Sequence, residues 1–115
     1  MLKYELIPGQ LLHEGTITAA NIFAPQPCAQ DTILLTHKKD YLDKLIGQKL
    51  TASEQRRIGF PQSHALTERE LIITQGTIDC CLFAIENGIA LNVAGGTHHA
   101  FADRGKVFAC LTTRQ

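Results

Sequence analysis

The chain has 115 residues, the size of a single domain, and its eleven basic side chains are balanced by eleven acidic ones. Without a net positive charge it has no general field that would draw it to phosphate backbones, so a direct nucleic-acid partner is not expected. No apolar run approaches the roughly 20 residues that a membrane-spanning helix needs, and the first residues do not follow the pattern of a secretory signal. These features predict a cytoplasmic protein with no membrane partner.

The first half of the chain predicts two helices and one strand. The stretch from Tyr4 to Glu14, with a proline near its start and a glycine directly after it, indicates a short helix. Residues 32–36, TILLT, form a compact apolar and β-branched run that predicts a strand. Residues 37–50 place apolar side chains on one helical face and charged ones on the other, which indicates a surface helix packed on that strand.

The second half of the chain predicts two helix starts, the second of which opens a long helix. Residues 51–54, TASE, and 67–70, TERE, both match the capping box that opens a helix. From Glu68 to Asn87 an apolar face recurs at helical spacing, and Gly88 then provides a left-handed stop. The residues expected on the buried face of this helix are Leu71, Ile78, Leu82 and Ile85.

A second short apolar run, Ile89 to Val93, follows the long helix and predicts a second strand. Two buried strands joined by helices are typical of an α/β protein with a parallel sheet. We therefore expect the two strands to be parallel neighbours in one sheet, connected by a right-handed crossover.

The loop after this second predicted strand holds the candidate site. In open parallel sheets, ligands bind at the carboxyl ends of the strands, which is where residues 94–101, AGGTHHAF, are expected to lie. Gly95 and Gly96 allow a tight turn close to a ligand, and the imidazoles of His98 and His99 can take up and return a proton near neutral pH. From these residues alone, a polar surface loop remains an equal alternative.

A metal site made by this chain alone is not expected. Catalytic zinc needs three protein ligands, and the side chains of His98, His99 and Asp103 tend to diverge if they lie on an extended loop. The four cysteines have no C-x-x-C spacing and are interpreted as reduced, mostly buried thiols. The isolated histidines, His13, His37 and His64, are interpreted as surface or capping residues. A minimal metal site on the histidine loop remains as the alternative.

Residues 91–105, LNVAGGTHHAFADRG, closely resemble the active-site segment of bacterial members of the histone deacetylase, acetoin-utilisation and acetylpolyamine amidohydrolase family. The resemblance also includes the upstream stretches FAPQP, ILLTHKKDYLDKL, EQRRIGFPQS and ERELIITQGTIDCCLFAIENGIA, and it spans residues 3–105. It implies a fold of the arginase and deacetylase type, a three-layer parallel sheet, of which this chain would hold an N-terminal part truncated at both ends.

The resemblance also implies a chemistry. In that family the tandem histidines lie beside a catalytic zinc, hydrogen-bond the attacking water and pass its proton to the leaving amine; His98 and His99 match them. Gly95 and Gly96 match the substrate side of the loop, and the substrates implied are acetylated lysine side chains or acetylated small amines. The family's zinc ligands, an Asp-x-His pair and a later Asp, cannot be placed on this chain. We therefore expect it to be inactive alone and to bind no zinc.

The last ten residues, 106–115, depart from the resemblance. Relatives read GEGFCLLNDQA from the position of Gly105, and deleting one base from permissible codons for that stretch gives GKVFACLTTR, the ending seen here. A frameshift after Gly105 is therefore expected, with residues 1–115 forming one incomplete domain that begins at an internal methionine. Phe108 falls where the family has an aromatic wall of its acyl-lysine tunnel. The alternative is a small non-catalytic module that associates with a partner through an exposed sheet edge.

Overall fold

The computed structural model describes residues 2–94, 99–106 and 109–111, which form helices joined by extended loops. No helix within these ranges is long and apolar enough to span a membrane. A single turn of 3-10 helix occupies Ala19–Asn21. The α-helices are, in chain order, α1 (Lys3–His13), α2 (Gln30–Ile33), α3 (Lys39–Ile46), α4 (Ala52–Ile58) and α5 (His64–Asn87).

The prediction of a partial parallel sheet of the arginase type is wrong, because the described residues contain two isolated bridges and no sheet. The run at 32–36 is not a strand: it continues from α2, and the N–H of His37 donates to the carbonyl of Ile33 as in a helical turn. A short apolar run carries no periodicity that separates a strand from a buried helical turn. Asp31 in the first turn favours the helix, and Leu35 is 75% exposed.

The second predicted strand, residues 89–93, is not a strand either. It pairs with no other segment among the residues that the structure describes, and Ile89 and Leu91 remain largely exposed. A parallel strand is stable when neighbouring strands flank it and other elements cover both faces, and the described ranges supply no such neighbours. The strand predicted from the apolar composition of 89–93 is therefore wrong.

The long helix is confirmed, although it begins four residues before the predicted start. Ser63 is the N-cap of α5, and its Oγ accepts the N–H of Leu66 at 3.1 Å. The capping box predicted at 67–70 is therefore wrong, since Thr67 is a buried residue inside α5. Gly88 ends the helix with φ of +91°, as predicted, in a region of backbone conformation that favours glycine.

Among the described residues, cover of α5 weakens toward its C-terminal end, although Cys80 is buried and Phe83 packs on Phe23 with ring centroids 4.6 Å apart. Leu71 and Ile78 pack half-buried against the core, as predicted. Leu82 and Ile85, predicted on the same buried face, are exposed. The apolar face is thus continuous in sequence, but the described residues cover its predicted members only as far as Ile78.

The amphipathic helix predicted in 37–50 is confirmed as α3, which buries Tyr41, Leu42 and Leu45. The capping box predicted at the start of α4 is also confirmed. Thr51 Oγ1 accepts the N–H of Glu54 at 3.2 Å, and the carboxylate of Glu54 accepts the N–H of Thr51 at 2.7 Å.

The core joins α3, α4, the first half of α5 and the segment of residues 109–111. This last segment is almost fully buried, with Ala109 at 0% exposure and Cys110 at 1%, so it is an integral part of the core. All four cysteines are free; Cys81 is exposed, and the other three are buried, which confirms the interpretation of mostly buried thiols. The buried cluster consists of Cys28, Ile33, Tyr41, Leu42, Leu45, Ile58, Cys110 and Leu111.

Candidate functional site

His99 is the one predicted site residue that the structure describes, and its side chain is exposed. Gly95, Gly96, His98 and Phe108 lie outside the described residues. The candidate site is therefore described through His99 and the residues that follow it, which attach the loop to the rest of the protein.

Three contacts hold the loop that follows His99. The N–H of Phe101 donates to the carbonyl of Arg104 at 2.8 Å and closes a tight turn. The N–H of Lys38, at the start of α3, donates to the carbonyl of Ala102 at 2.8 Å. The guanidinium of Arg104 lies 4.2 Å from the centroid of the Phe101 ring, a cation–π arrangement that reinforces the turn. The backbone three residues beyond His99 is thereby attached to α3.

The carboxylate of Asp103 is engaged by two cations. Its Oδ1 lies 3.0 Å from Arg104, and its Oδ2 lies 3.7 Å from the Nζ of Lys38. Both pairs are partly exposed, so each contributes little to stability, but together they occupy the oxygens that a metal would need. Across the described ranges, no group of three or more His, Cys, Asp or Glu side chains is arranged to hold a metal ion. The donor set formed by His99 and Asp103 does not fit a zinc ion.

A second histidine lies close to the anchor of this loop. His37, interpreted from the sequence as a surface or capping residue, is buried, and its ring centroid lies 5.8 Å from that of Tyr41. The next residue, Lys38, provides the backbone bond to the histidine loop. The sequence did not predict the burial of His37, because this residue directly follows the run that predicts a strand. With that run helical, the His37 ring lies beside Tyr41 of α3.

A buried polar network holds the segment of residues 109–111 in the core. The hydroxyl of Tyr41 donates to the carbonyl of Cys110 at 2.8 Å. The backbone N–H of Cys110 also favours the charged form of the nearby Glu70 carboxylate. The same carboxylate pairs with Arg69 at 2.9 Å, and Arg69 in turn donates to the hydroxyl of Tyr4 at 3.1 Å. Four parts of the chain thus meet through four side chains and the backbone of Cys110: α1, α3, α5 and the last described segment.

The charge of Glu70 makes the stability of this network depend on pH. Burial raises the pKa of the Glu70 carboxyl above its usual value, while Arg69 and the N–H of Cys110 lower it by a smaller amount. A pKa that is raised on folding favours the folded state below the unfolded value, and this contribution is lost as the pH rises through the folded value. We expect Glu70→Gln, which keeps an acceptor for Cys110 without the charge, to remove this component of the pH dependence.

The measurement is the free energy of unfolding in urea across the acidic and neutral range for the natural chain and the variant. Glu68→Gln is the matched control, since Glu68 lies on the same helix with an exposed side chain. The free energy of unfolding of the Glu68→Gln variant should follow that of the natural chain at every pH. An unchanged pH dependence in Glu70→Gln would contradict the assignment of a buried charge.

Residues 2–113 match the family model of the histone deacetylase domain. The chain belongs to the histone deacetylase family. The match confirms the family predicted from the histidine-loop segment. It includes the helices, the histidine loop and the anchoring turn after it, and it continues past Gly105 to residue 113.

Two relatives show how much of a deacetylase-family protein this chain represents. An uncharacterised protein of Picosynechococcus sp. is 40% identical over 111 residues, which cover 96% of this chain and 37% of that protein. Histone deacetylase 2 of Arabidopsis thaliana is 28% identical over 104 residues, covering 85% of this chain and 27% of that protein. The deacetylase-family chain therefore spans about a third of the length of the curated relatives that it matches.

Proposed function

We propose that this chain carries the histidine-bearing part of an amide hydrolase that removes acetyl groups from acetylated lysine side chains or acetylated small amines, and that it is inactive alone. The observation that carries the proposal is the His98–His99 pair inside a segment that matches the deacetylase family. The free state of all four cysteines favours a reducing compartment, so we assign the protein to the cytoplasm.

The two imidazoles would supply proton transfer. An imidazole titrates near neutral pH, so it can take a proton from the attacking water and return it to the amine that leaves. Gly95 and Gly96 would let the backbone approach the acyl group closely, and Phe108 would form an apolar wall beside the substrate. The bond between Ala102 and Lys38 supports this role, because it holds the loop against α3.

Zinc is the cofactor of this family, and the chain is not proposed to hold it. When bound, the metal lowers the pKa of a water molecule and polarises the acyl oxygen. The described donors do not fit a zinc ion. The family's Asp-x-His pair has no counterpart in this sequence, so the zinc ligands are assigned to residues outside this chain.

An activity assay tests whether the histidines act only together with zinc ligands from outside this chain. Purified chain supplied with zinc should hydrolyse acetyl-lysine peptides no faster than its His98→Ala, His99→Ala variant, because proton transfer alone cannot polarise the acyl oxygen. In a longer product that restores the family frame, the same double substitution should lower kcat by about 100-fold or more, the usual contribution of general acid–base catalysis. Turnover by the 115-residue chain that disappears on substituting the histidines would contradict its inactivity. An active longer product that tolerates both substitutions would contradict their role.

The reading-frame hypothesis remains a prediction, and sequencing the gene around the codon for Lys106 tests it. We expect an Asn-Asp-Gln-Ala stretch and a later Asp-x-His in another frame. If the downstream DNA encodes neither, the frameshift hypothesis is wrong. The burial of Ala109 and Cys110 and the family match through residue 113 would then reflect a divergent but in-frame segment.

An interaction module is the second candidate function, and the exposed apolar side chains on the second half of α5 favour it. Such a module would bind a partner without any catalysis. It would retain its binding when His98 and His99 are replaced, whereas the longer hydrolase that restores the family frame would lose its activity on the same replacement.

A further inference from the structure

The side chain of Asn92 attaches the segment that precedes the histidine loop to α5. Its Nδ2 donates to the carbonyl of Ile73 at 3.0 Å and to Thr77 Oγ1 at 3.1 Å. Its Oδ1 accepts the N–H of Ala94 at 3.2 Å. The amide nitrogen of Asn92 thus contacts the helix, and its amide oxygen holds the backbone directly before Gly95.

The partners of Asn92 determine which way its amide points. Thr77 Oγ1 donates its own hydrogen to the carbonyl of Ile73 at 3.2 Å, so it offers only lone pairs to Asn92. The carbonyl oxygen of Ile73 is likewise an acceptor only. The nitrogen of the Asn92 side chain therefore faces α5, and the oxygen is left for the N–H of Ala94.

A glycine inside α5 makes room for this contact. Glycine destabilises the interior of a helix relative to alanine, so helix propensity does not favour Gly76 at its position. Gly76 is buried, and a Cβ there would lie 3.1 Å from Nδ2 of Asn92 and 3.2 Å from Cγ of Pro25. Both distances are shorter than an ordinary van der Waals contact. The close approach of Asn92 to the helix accounts for a residue without a side chain at this position.

The backbone around Asn92 has few other attachments. Within the described ranges, residues 89–93 form no backbone hydrogen bond. Ile89 and Leu91 are each 75% exposed, so their side chains bury little surface against the rest of the protein. The hydrogen bonds of Asn92 therefore carry most of the attachment of this segment to α5.

The segment after the histidine loop is attached to a different helix. The N–H of Lys38, at the start of α3, donates to the carbonyl of Ala102 at 2.8 Å. Residues 95–101 lie between the attachments at Ala94 and Ala102, whereas without Asn92 the stretch would begin at Gly88 and be twice as long. A shorter stretch between fixed ends has fewer conformations to adopt.

We infer that Asn92 is a positioning residue for the histidine pair, because it fixes on α5 the point from which the backbone enters the loop that carries His98 and His99. The inference rests on the proposed function, in which these imidazoles transfer protons. Proton transfer needs hydrogen-bond distances, and a displacement of about 1 Å can lower a rate by about 100-fold. Asn92 acts through the backbone and is not assigned any contact with the substrate.

Nuclear magnetic resonance of the 115-residue chain tests the positioning without requiring turnover. Asn92→Ala should speed hydrogen exchange of the Ala94 amide by about tenfold, since that amide loses its acceptor. The backbone order of His99, measured by amide relaxation, should fall. Asn87→Ala is the matched control, because Asn87 also donates its side-chain nitrogen to a carbonyl of α5, that of Phe83, at 3.0 Å. The control should leave both signals unchanged.

Variants of Thr77 keep the inference testable if Asn92→Ala fails to fold. Thr77→Val removes the oxygen that accepts from Asn92 and should change the same two signals in the same direction. Thr77→Ser keeps that oxygen and should behave as the natural chain. Thr74→Val is the control for the lost hydroxyl, because Thr74 donates to the carbonyl of Glu70 at 2.8 Å in a bond that does not include Asn92. It should leave both signals unchanged.

Unchanged exchange at Ala94 and unchanged order at His99 in both Asn92→Ala and Thr77→Val would overturn the inference. In a longer product that restores the family frame, Asn92→Ala should lower kcat by about tenfold or more and change KM by less. If that product needs its histidines but keeps its kcat in Asn92→Ala, the positioning role is wrong and the hydrolase proposal stands. If it tolerates replacement of both histidines, the hydrolase proposal and the positioning role fail together, while the attachment measured by exchange remains.

Discussion

Gly105→Ala should lower the free energy of unfolding by about 2 to 3 kcal/mol, the upper part of the range for forcing atoms into a packed core. A Cβ at Gly105 would lie 2.5 Å from the carbonyl oxygen of Ala109 and 2.7 Å from Cγ1 of Ile58. The oxygen belongs to the backbone and accepts the N–H of Lys106 at 3.0 Å, so it cannot move away without breaking this turn. The substitution would push residues 109–111 out of the core.

Gly9→Ala is the matched control for this experiment. Gly9 lies inside α1, and a Cβ there would meet no atom within 4 Å. Alanine favours a helix by about 0.5 to 1 kcal/mol over glycine, so this variant should be unchanged or slightly more stable. Urea unfolding of the two variants makes the comparison. Equal stability of Gly105→Ala and the natural chain would show that the last described segment does not pack as the structure has it.

Leu42→Ala should cost about 2 to 5 kcal/mol, because Leu42 is fully buried and its removal leaves a cavity in the core. Leu35→Ala should change stability by less than about 0.5 kcal/mol, since that side chain is mostly in solvent. The pair tests the helical arrangement directly. If residues 32–36 formed the buried strand that their composition predicts, Leu35→Ala would be about as costly as Leu42→Ala. Thermal or urea unfolding of both variants, compared under the same conditions, measures the difference.

The helices of this chain could be predicted because their signals are local. Thr51 and Glu54 satisfy each other's backbone N–H groups within a single turn, and Gly88 ends α5 by its own backbone conformation. No distant residue is needed for either feature. The start of α5 shows the limit of such local signals. Ser63 and Thr67 are both of a residue type that commonly caps a helix, and only Ser63 is the N-cap of α5.

The strands could not be predicted because a strand depends on its neighbours. Residues 32–36 and 89–93 have the composition of buried strands, but the described chain pairs neither of them with a third segment. The first therefore forms helical turns, and the second contacts α5 through the side chain of Asn92. The composition of a segment indicates that it can form a buried strand, but it does so only when neighbouring strands are present to pair with it.

The candidate site could likewise be predicted only in part from the sequence. The histidine loop was recognisable because its residues are consecutive, and the family match includes it. Its anchor was not, because the bond between Lys38 and Ala102 joins residues that lie far apart in sequence. The burial of Glu70 was also missed, since in α5 it occupies a position that the apolar periodicity assigns to solvent. A long-range interaction with the backbone of Cys110 and an ion pair with the neighbouring Arg69 accompany its place in the core.

The adjacent thiols of Cys80 and Cys81 differ in chemical accessibility. Successive residues of a helix point about 100° apart, so Cys80 is buried while Cys81 is exposed. Burial raises the pKa of Cys80 and of Cys28, and it raises that of Cys110 to about 12. Because the thiolate is the nucleophile, an alkylating reagent at neutral pH should modify Cys81 in the native protein and the buried three only after local opening. The delay between the alkylation of Cys81 and that of the next thiol therefore measures the rate at which the core opens.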